Sequence, residues 1–212
     1  MRYKWLNRNN NEDLIVFFNG WGMNETPVKH LEYGNFDVLM FFDYRNLNID
    51  FKNFNFENYK NKYLISWSMG VYSANHFKDI FENFDKKIAI NGTGRIVDDI
   101  YGIPKKIYKL TLDYLSDSSL ERFKQNMFNK GSLNPEITIT RAVEELKEEL
   151  ISIQQTKNDG EIKYDKVLIS KNDRIIPVKN QINYWNTRVN YILVDSTHCL
   201  FREYKNWREI IC

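Results

Sequence analysis

Short apolar runs separated by helix-like segments constrain this chain more than any other feature. Leu14–Phe18 ends in Asn19-Gly20-Trp21-Gly22, and Asp37–Phe42 ends in Asp43-Tyr44-Arg45. Lys62–Trp67 and Lys87–Ile90 follow, the latter running into Asn91-Gly92-Thr93, and Lys166–Ser170 and Val189–Val194 complete the set. Runs of this kind, buried on both faces and joined by crossovers, form a parallel sheet covered by helices. Residues 1–7 could add an edge strand. Between the runs, Val71, Ala74, Phe77 and Phe81 make one apolar stripe at helical spacing, and Leu200, Tyr204, Trp207 and Ile211 make another. The pattern predicts a doubly wound α/β domain, and 212 residues suit one such domain.

One stretch breaks the alternation. About seventy residues separate the fourth run from the fifth, far more than a crossover needs. Leu120, Phe123 and Met127 predict one amphipathic helix, and Val143, Leu146, Leu150 and Ile153 a second. Gly131 and Pro135 mark a turn between them, and Asn158-Asp159-Gly160 returns the chain to the sheet. Glu144, Glu145, Glu148 and Glu149 read as the solvated face of the second helix. The expected organisation is a core of residues 1–94 and 161–212 with a helical cap over 95–160.

Chemistry enters at Ser66-Trp67-Ser68-Met69-Gly70, directly after a strand and directly before a helix. A serine flanked by small residues two positions either side is how a nucleophile elbow lifts a hydroxyl out of a sheet, so an α/β-hydrolase fold is expected. A serine nucleophile needs a base and an orienting carboxylate. Of the three histidines, His30 lies in the segment after Gly22, and His76 lies two turns along the elbow helix, facing away from Ser68. His198 follows the last strand, at the sheet edge where the elbow opens, and is the expected base. Asp173 follows the Ser170 strand end, with Pro177 placed to start a helix, and is the expected acid; Asp195 is its rival. The order Ser68, Asp173, His198 is that of the α/β-hydrolases. The amides of Met69 and Trp21, the latter in the glycine-flanked loop after the Leu14–Phe18 strand, are the expected oxyanion donors.

Other classes are thinly represented. No run approaches ~18 apolar residues, and the N-terminus lacks the apolar segment of a signal peptide, so a cytoplasmic protein without a membrane span is expected. Cys199 and Cys212 are too few for a disulfide framework or a cysteine-rich metal site. A net charge of +2 argues against nucleic acid as a partner. Gly92-Thr93-Gly94-Arg95 matches no phosphate-binding fingerprint, and no cofactor or metal is expected.

Phe18–Met23, Phe42–Arg45, Ser66–Gly70, Ala89–Thr93 and Asp173–Pro177 together resemble the BioG type of biotin-synthesis esterase, over nearly the whole chain. The resemblance implies a serine esterase acting on the methyl ester of pimeloyl-acyl carrier protein. It maps the family's nucleophile, acid and base onto Ser68, Asp173 and His198, and its oxyanion amides onto Trp21 and Met69. Carrier proteins are acidic, so Arg122, Lys124 and Lys130, with Arg95 and Lys105 behind them, are candidates for docking. A monomer is expected. The alternatives are a general carboxylesterase or thioesterase on small acyl substrates, and a non-catalytic protein of the same fold.

Overall fold

The computed structural model describes residues 1–128, 137–157 and 160–212. Seven strands form one sheet: β1 (Arg2–Asn7), β2 (Asp13–Phe18), β3 (Phe36–Phe42), β4 (Asn61–Trp67), β5 (Lys86–Ile90), β6 (Lys166–Ser170) and β7 (Tyr191–Val194). Their order is β1-β3-β2-β4-β5-β6-β7; β1 runs antiparallel to β3 and every other pairing is parallel. The sheet therefore carries the edge strand expected of residues 1–7.

Side chains alternate between two cores because successive residues of a strand point to opposite faces. Leu14, Val16 and Phe18 face one core, Ile15 and Phe17 the other. The first core packs against α1 (Met69–Asn75), α2 (Lys78–Phe81) and α6 (Val178–Trp185), and the second against α7 (Trp207–Ile211). Each large apolar side chain so buried contributes ~1.5–3 kcal/mol, which is what holds helices to both faces.

Three expectations need correction. The stripe through Val71, Ala74, Phe77 and Phe81 lies on two helices, because Phe77 leaves helical geometry at φ −117°, ψ 28°. The stripe through Leu200, Tyr204, Trp207 and Ile211 also breaks. A 3-10 turn spans Leu200–Glu203, Tyr204 is extended, and Asn206 caps α7 by accepting from the Glu209 amide. Third, β7 is not buried on both faces: it is an edge strand, and Ile192 and Leu193 are exposed.

Between β5 and β6 lie α3 (Lys105–Asp113), α4 (Asp117–Asn126) and α5 (Val143–Gln155). The two helices expected from Leu120 to Met127 and Val143 to Ile153 are α4 and α5. Helix α3 is an additional helix, beyond the two expected in this segment. The turns read at Gly131 and Pro135 and at Asn158-Asp159 fall outside the described residues.

Glu149 corrects the reading of α5. Glu144 and Glu148 are exposed, but Glu149 is fully buried; its Oε1 accepts from the Tyr44 amide at 2.7 Å and its Oε2 pairs with Arg141. Arg141 also meets Asp43 at 2.9 Å, and Arg45 clasps the same aspartate through two bonds of 2.8 Å. Burial holds the Glu149 carboxyl above its usual range against the pull of Arg141. At Asp43 burial works in the same direction, but the hydrogen bond and charge of Arg45 and the charge of Arg141 outweigh it and bring that carboxyl below its usual range. This buried cluster fastens α5 to the end of β3. Among the described residues no helix is long and apolar enough to cross a membrane.

Candidate active site

Ser68 joins β4 to α1 with φ 55° and ψ −122°, a conformation that side chains other than glycine adopt only under strain. A serine at a helix N-cap ordinarily accepts from an amide of the first turn, but Ser68 makes no such bond. The strained turn leaves its hydroxyl for another partner. Such a corner demands small neighbours. A Cβ on Gly70 would lie 2.3 Å from the Phe18 carbonyl oxygen, and one on Gly92 would lie 2.3 Å from that of Ser68.

The partner is His198, whose Nε2 lies 2.9 Å from Ser68 Oγ, while its Nδ1 lies 2.8 Å from Asp173 Oδ2. Ser68, Asp173 and His198 are all buried. Asp173 accepts three further bonds: Ile175 N and Ile176 N to Oδ1 at 2.8 and 3.0 Å, and Gln181 Nε2 to Oδ2 at 2.8 Å. With only donors around it, Asp173 fixes the proton of His198 on Nδ1 and leaves Nε2 to accept from the serine. Such a chain can deprotonate the hydroxyl as it attacks a carbonyl.

The other candidates lie elsewhere. His76 is half-buried, its Nδ1 against the Tyr72 carbonyl, and burial holds it below the usual imidazole range. His30 Nε2 sits beside the Phe201 carbonyl. Asp195 is exposed and accepts from Asn172. Cys199 is buried packing, its thiol pushed up to about 12 by burial.

Two residues that the sequence reading gave no role hold the His198 backbone. The His198 carbonyl accepts from Asn91 Nδ2 at 2.8 Å and from Trp67 Nε1 at 2.9 Å. Asn91 also accepts from the Ser170 amide at 2.7 Å and donates to Ser170 Oγ at 2.8 Å, tying the histidine loop to the strand that leads to Asp173. Position after a strand was the available signal at Asn91, and it does not distinguish a brace from a turn residue.

Trp21 and Met69 border the same cavity as Ser68. Met23 N donates to the Gly20 carbonyl at 3.2 Å, closing a turn in which Gly22 takes φ +72°, the conformation a type II turn requires at its third residue. That closure does not use the Trp21 amide, and the Met69 amide at the start of α1 has no acceptor within its helix. The Trp21 indole reaches across to the roof: Nε1 donates to the Leu146 carbonyl on α5 at 3.1 Å, and its ring meets Phe123 of α4 edge-on at 5.1 Å.

The cavity measures about 480 Å³, within the ~300–1,000 Å³ usual for small-molecule sites. Ile107 and Leu110 of α3 and Tyr114 just after it line the cavity yet are 51%, 42% and 71% exposed, which places an apolar wall at its mouth. Arg122 and Arg174 are the charged residues of the lining. Lys124 is paired with Glu121 of its own helix at 2.5 Å, and Lys130 lies outside the described residues. Arg95 stacks over Tyr101. No cluster of metal-ligating side chains occurs among the described residues.

The chain is similar to known proteins over most of its length. The family model described as pimeloyl-ACP methyl esterase BioG matches residues 1–210. The crystal structure of BioG from Haemophilus influenzae superposes with a TM-score of 0.86, at 30% identity and over 100% of both chains. A Bacteroides fragilis protein named malonyl-[acyl-carrier protein] O-methyltransferase is 37% identical over 188 residues, which are 85% of this chain but 38% of that protein. This chain thus spans well under half of that relative. An esterase from Exiguobacterium antarcticum shares the fold at a TM-score of 0.68 and 15% identity, over 95% of this chain and 89% of that one. An α/β-hydrolase fold and a carboxylic ester hydrolase follow from these matches. The chain belongs to the BioG family of pimeloyl-ACP methyl esterases.

Proposed function

We propose that this chain hydrolyses the methyl ester of a pimeloyl group borne on acyl carrier protein, giving methanol and the free acid still on its carrier, by a serine mechanism. The observation that carries the mechanism is the hydrogen-bonded chain Ser68–His198–Asp173 beside an apolar cavity. Ser68 Oγ attacks the ester carbonyl carbon as its proton passes to His198 Nε2, and Asp173 stabilises the imidazolium. The amides of Trp21 and Met69 receive the oxyanion, a contribution of about 3–4 kcal/mol per donor. Collapse breaks the bond to methoxide, which leaves as methanol with the proton from His198. Water, deprotonated by the same Nε2, attacks the acyl-serine; the acid leaves and Ser68 recovers its proton.

The apolar cavity suits an acyl chain, and α3, α4 and α5, which lie within residues 95–160, serve as the cap that forms its roof and mouth. Family membership supports the carrier-linked substrate. So does the Bacteroides relative, whose name describes methylation of a carrier-linked acid, the chemical converse of removing a methyl ester. Docking of the acidic carrier falls to Arg122 at the mouth, aided by Lys124 and Lys130, on a monomeric enzyme.

Rates on the carrier-linked methyl ester, p-nitrophenyl esters and acyl thioesters test the substrate, with the methyl ester expected to be preferred; a thioester preference would refute it. Ser68→Ala should lose activity by more than about 1,000-fold together with labelling by a fluorophosphonate. An alanine variant that still turned over would refute the serine mechanism. Charge reversal at Arg122 and Lys124 should raise KM for the carrier-linked ester and spare a small ester; equal losses on both would reject docking there.

A further inference from the structure

Gln181 on α6 is fully buried against the acid of the site. Its Nε2 donates to Asp173 Oδ2 at 2.8 Å and to the Ile176 carbonyl at 2.9 Å. Both partners accept only, so the nitrogen end of the amide must face them. Its Oε1 is buried without a hydrogen-bond partner. A methionine or leucine would fill the same space without burying an orphan oxygen, so packing alone gives no reason for glutamine here. The donor is what the position keeps.

The donor goes to the oxygen that also holds the imidazole. Oδ1 is already taken by the amides of Ile175 and Ile176, whereas Oδ2 is shared between Gln181 Nε2 and His198 Nδ1. We propose that Gln181 is a positioning residue for the reaction, locking the Asp173 carboxylate plane and drawing charge from Oδ2 so that His198 gives up its proton more readily. This rests on the serine-esterase reading above. Of the other charged groups near this unit, Arg174 is exposed on the cavity lining, Lys179 is exposed, Asp195 is exposed beside Asn172, and Glu161 accepts from Tyr184; the Cys199 thiol stays protonated.

The test is the pH dependence of kcat/KM on a small activated ester for two variants whose folding is checked by circular dichroism. Gln181→Met removes the donor and leaves the negative charge on Oδ2 undivided. Its kcat should fall about tenfold with KM unchanged, and the acid limb should move up by about half a pH unit. Gln181→Glu is isosteric but donates only while protonated. Its activity should approach that of the parent at low pH and fall along a new alkaline limb as a second carboxylate ionises beside Asp173. A merely structural role would lower activity equally at every pH. Parental pH profiles in both variants would overturn the proposal; if Gln181→Met does not fold, the presence or absence of the new limb in Gln181→Glu decides it. Ser68→Ala run in parallel separates the two readings: turnover by that variant sinks the serine mechanism, whereas unshifted profiles with Ser68 essential sink only the role of Gln181.

Discussion

Replacing Arg141 by methionine should cost this protein a large part of its stability. Glu149 would keep one partner, the Tyr44 amide, and stand as a carboxylate in a site with no solvent access. Asp43 would keep both bonds from Arg45 and suffer less. Breaking a buried pair from one side costs about 3–5 kcal/mol, because it strands the other charge. For a domain of this size that is a fall in Tm of about 10 °C. Urea unfolding followed by tryptophan fluorescence, together with a thermal melt, measures both.

The pH dependence has a definite sign. The folded carboxyl of Glu149 is raised, so its contribution to stability is full below its unfolded value of 4.5 and is lost as pH rises through the folded value. Removing Arg141 raises the folded value further, so the deficit is greatest at neutral pH. Asp43 is lowered, so it contributes stability above 3.8 that is lost as pH falls through its folded value, and Arg141 supplies part of that. The Glu149 effect shrinks the deficit of Arg141→Met on acidification to about pH 5, whereas the Asp43 effect shrinks it only below 3.8. Arg141→Met with Glu149→Gln removes the stranded charge yet keeps an acceptor for Tyr44, and should recover more than half of the loss. A single variant within about 1 kcal/mol of the parent, or a double variant no better than the single, would refute the buried-clamp account.

Gly70→Ala should abolish folded protein or cost more than about 3 kcal/mol, since its Cβ would sit 2.3 Å from the Phe18 oxygen; expression and melting measure it. Trp21→Phe keeps the turn but loses the indole donor to Leu146. It should lower stability by about 1 kcal/mol and raise KM for acyl esters as the roof loosens, read from melts and initial rates. Shortening the acyl chain by one methylene should cost about 0.8 kcal/mol of binding, or roughly fourfold in kcat/KM, if the chain lies in the apolar cavity. Length-independent rates would place it outside.

Much of the site was legible because each of its residues terminates an apolar run. Once Leu14–Phe18, Lys62–Trp67 and Lys166–Ser170 are strands of one parallel sheet, Trp21, Ser68 and Asp173 share its C-terminal rim by topology alone. Ser68, Asp173 and His198 were therefore recoverable from order and position. The helical stripes were less so. A stripe through Phe77 or Tyr204 reports which face is buried, and that face continues across a break in the backbone. Helix α3 was missed although it is amphipathic: Tyr108 and Leu112 are buried one turn apart, and Ile107, Tyr108 and Leu110 line the cavity.

Two buried polar side chains, one misread and one without a reading, escape the sequence for a different reason. Glu149 sits among three other glutamates and Gln181 on an ordinary amphipathic helix, both patterns that elsewhere denote solvent. Each is buried because of a partner far away in the chain: Tyr44, 105 positions before Glu149, or an aspartate that must first be recognised as part of the site. These two side chains also close circuits around Ser68. Glu149 accepts from Tyr44, whose hydroxyl donates to the Asn19 carbonyl at 2.8 Å, two residues before Trp21, and the Trp21 indole returns to Leu146 on the helix that carries Glu149. The loop expected to offer an oxyanion amide is thereby held from below by the sheet and from above by α5. Loosening the ion cluster should therefore lower the rate as well as the melting temperature. In a protein whose roof and oxyanion loop were independent, stability alone would fall.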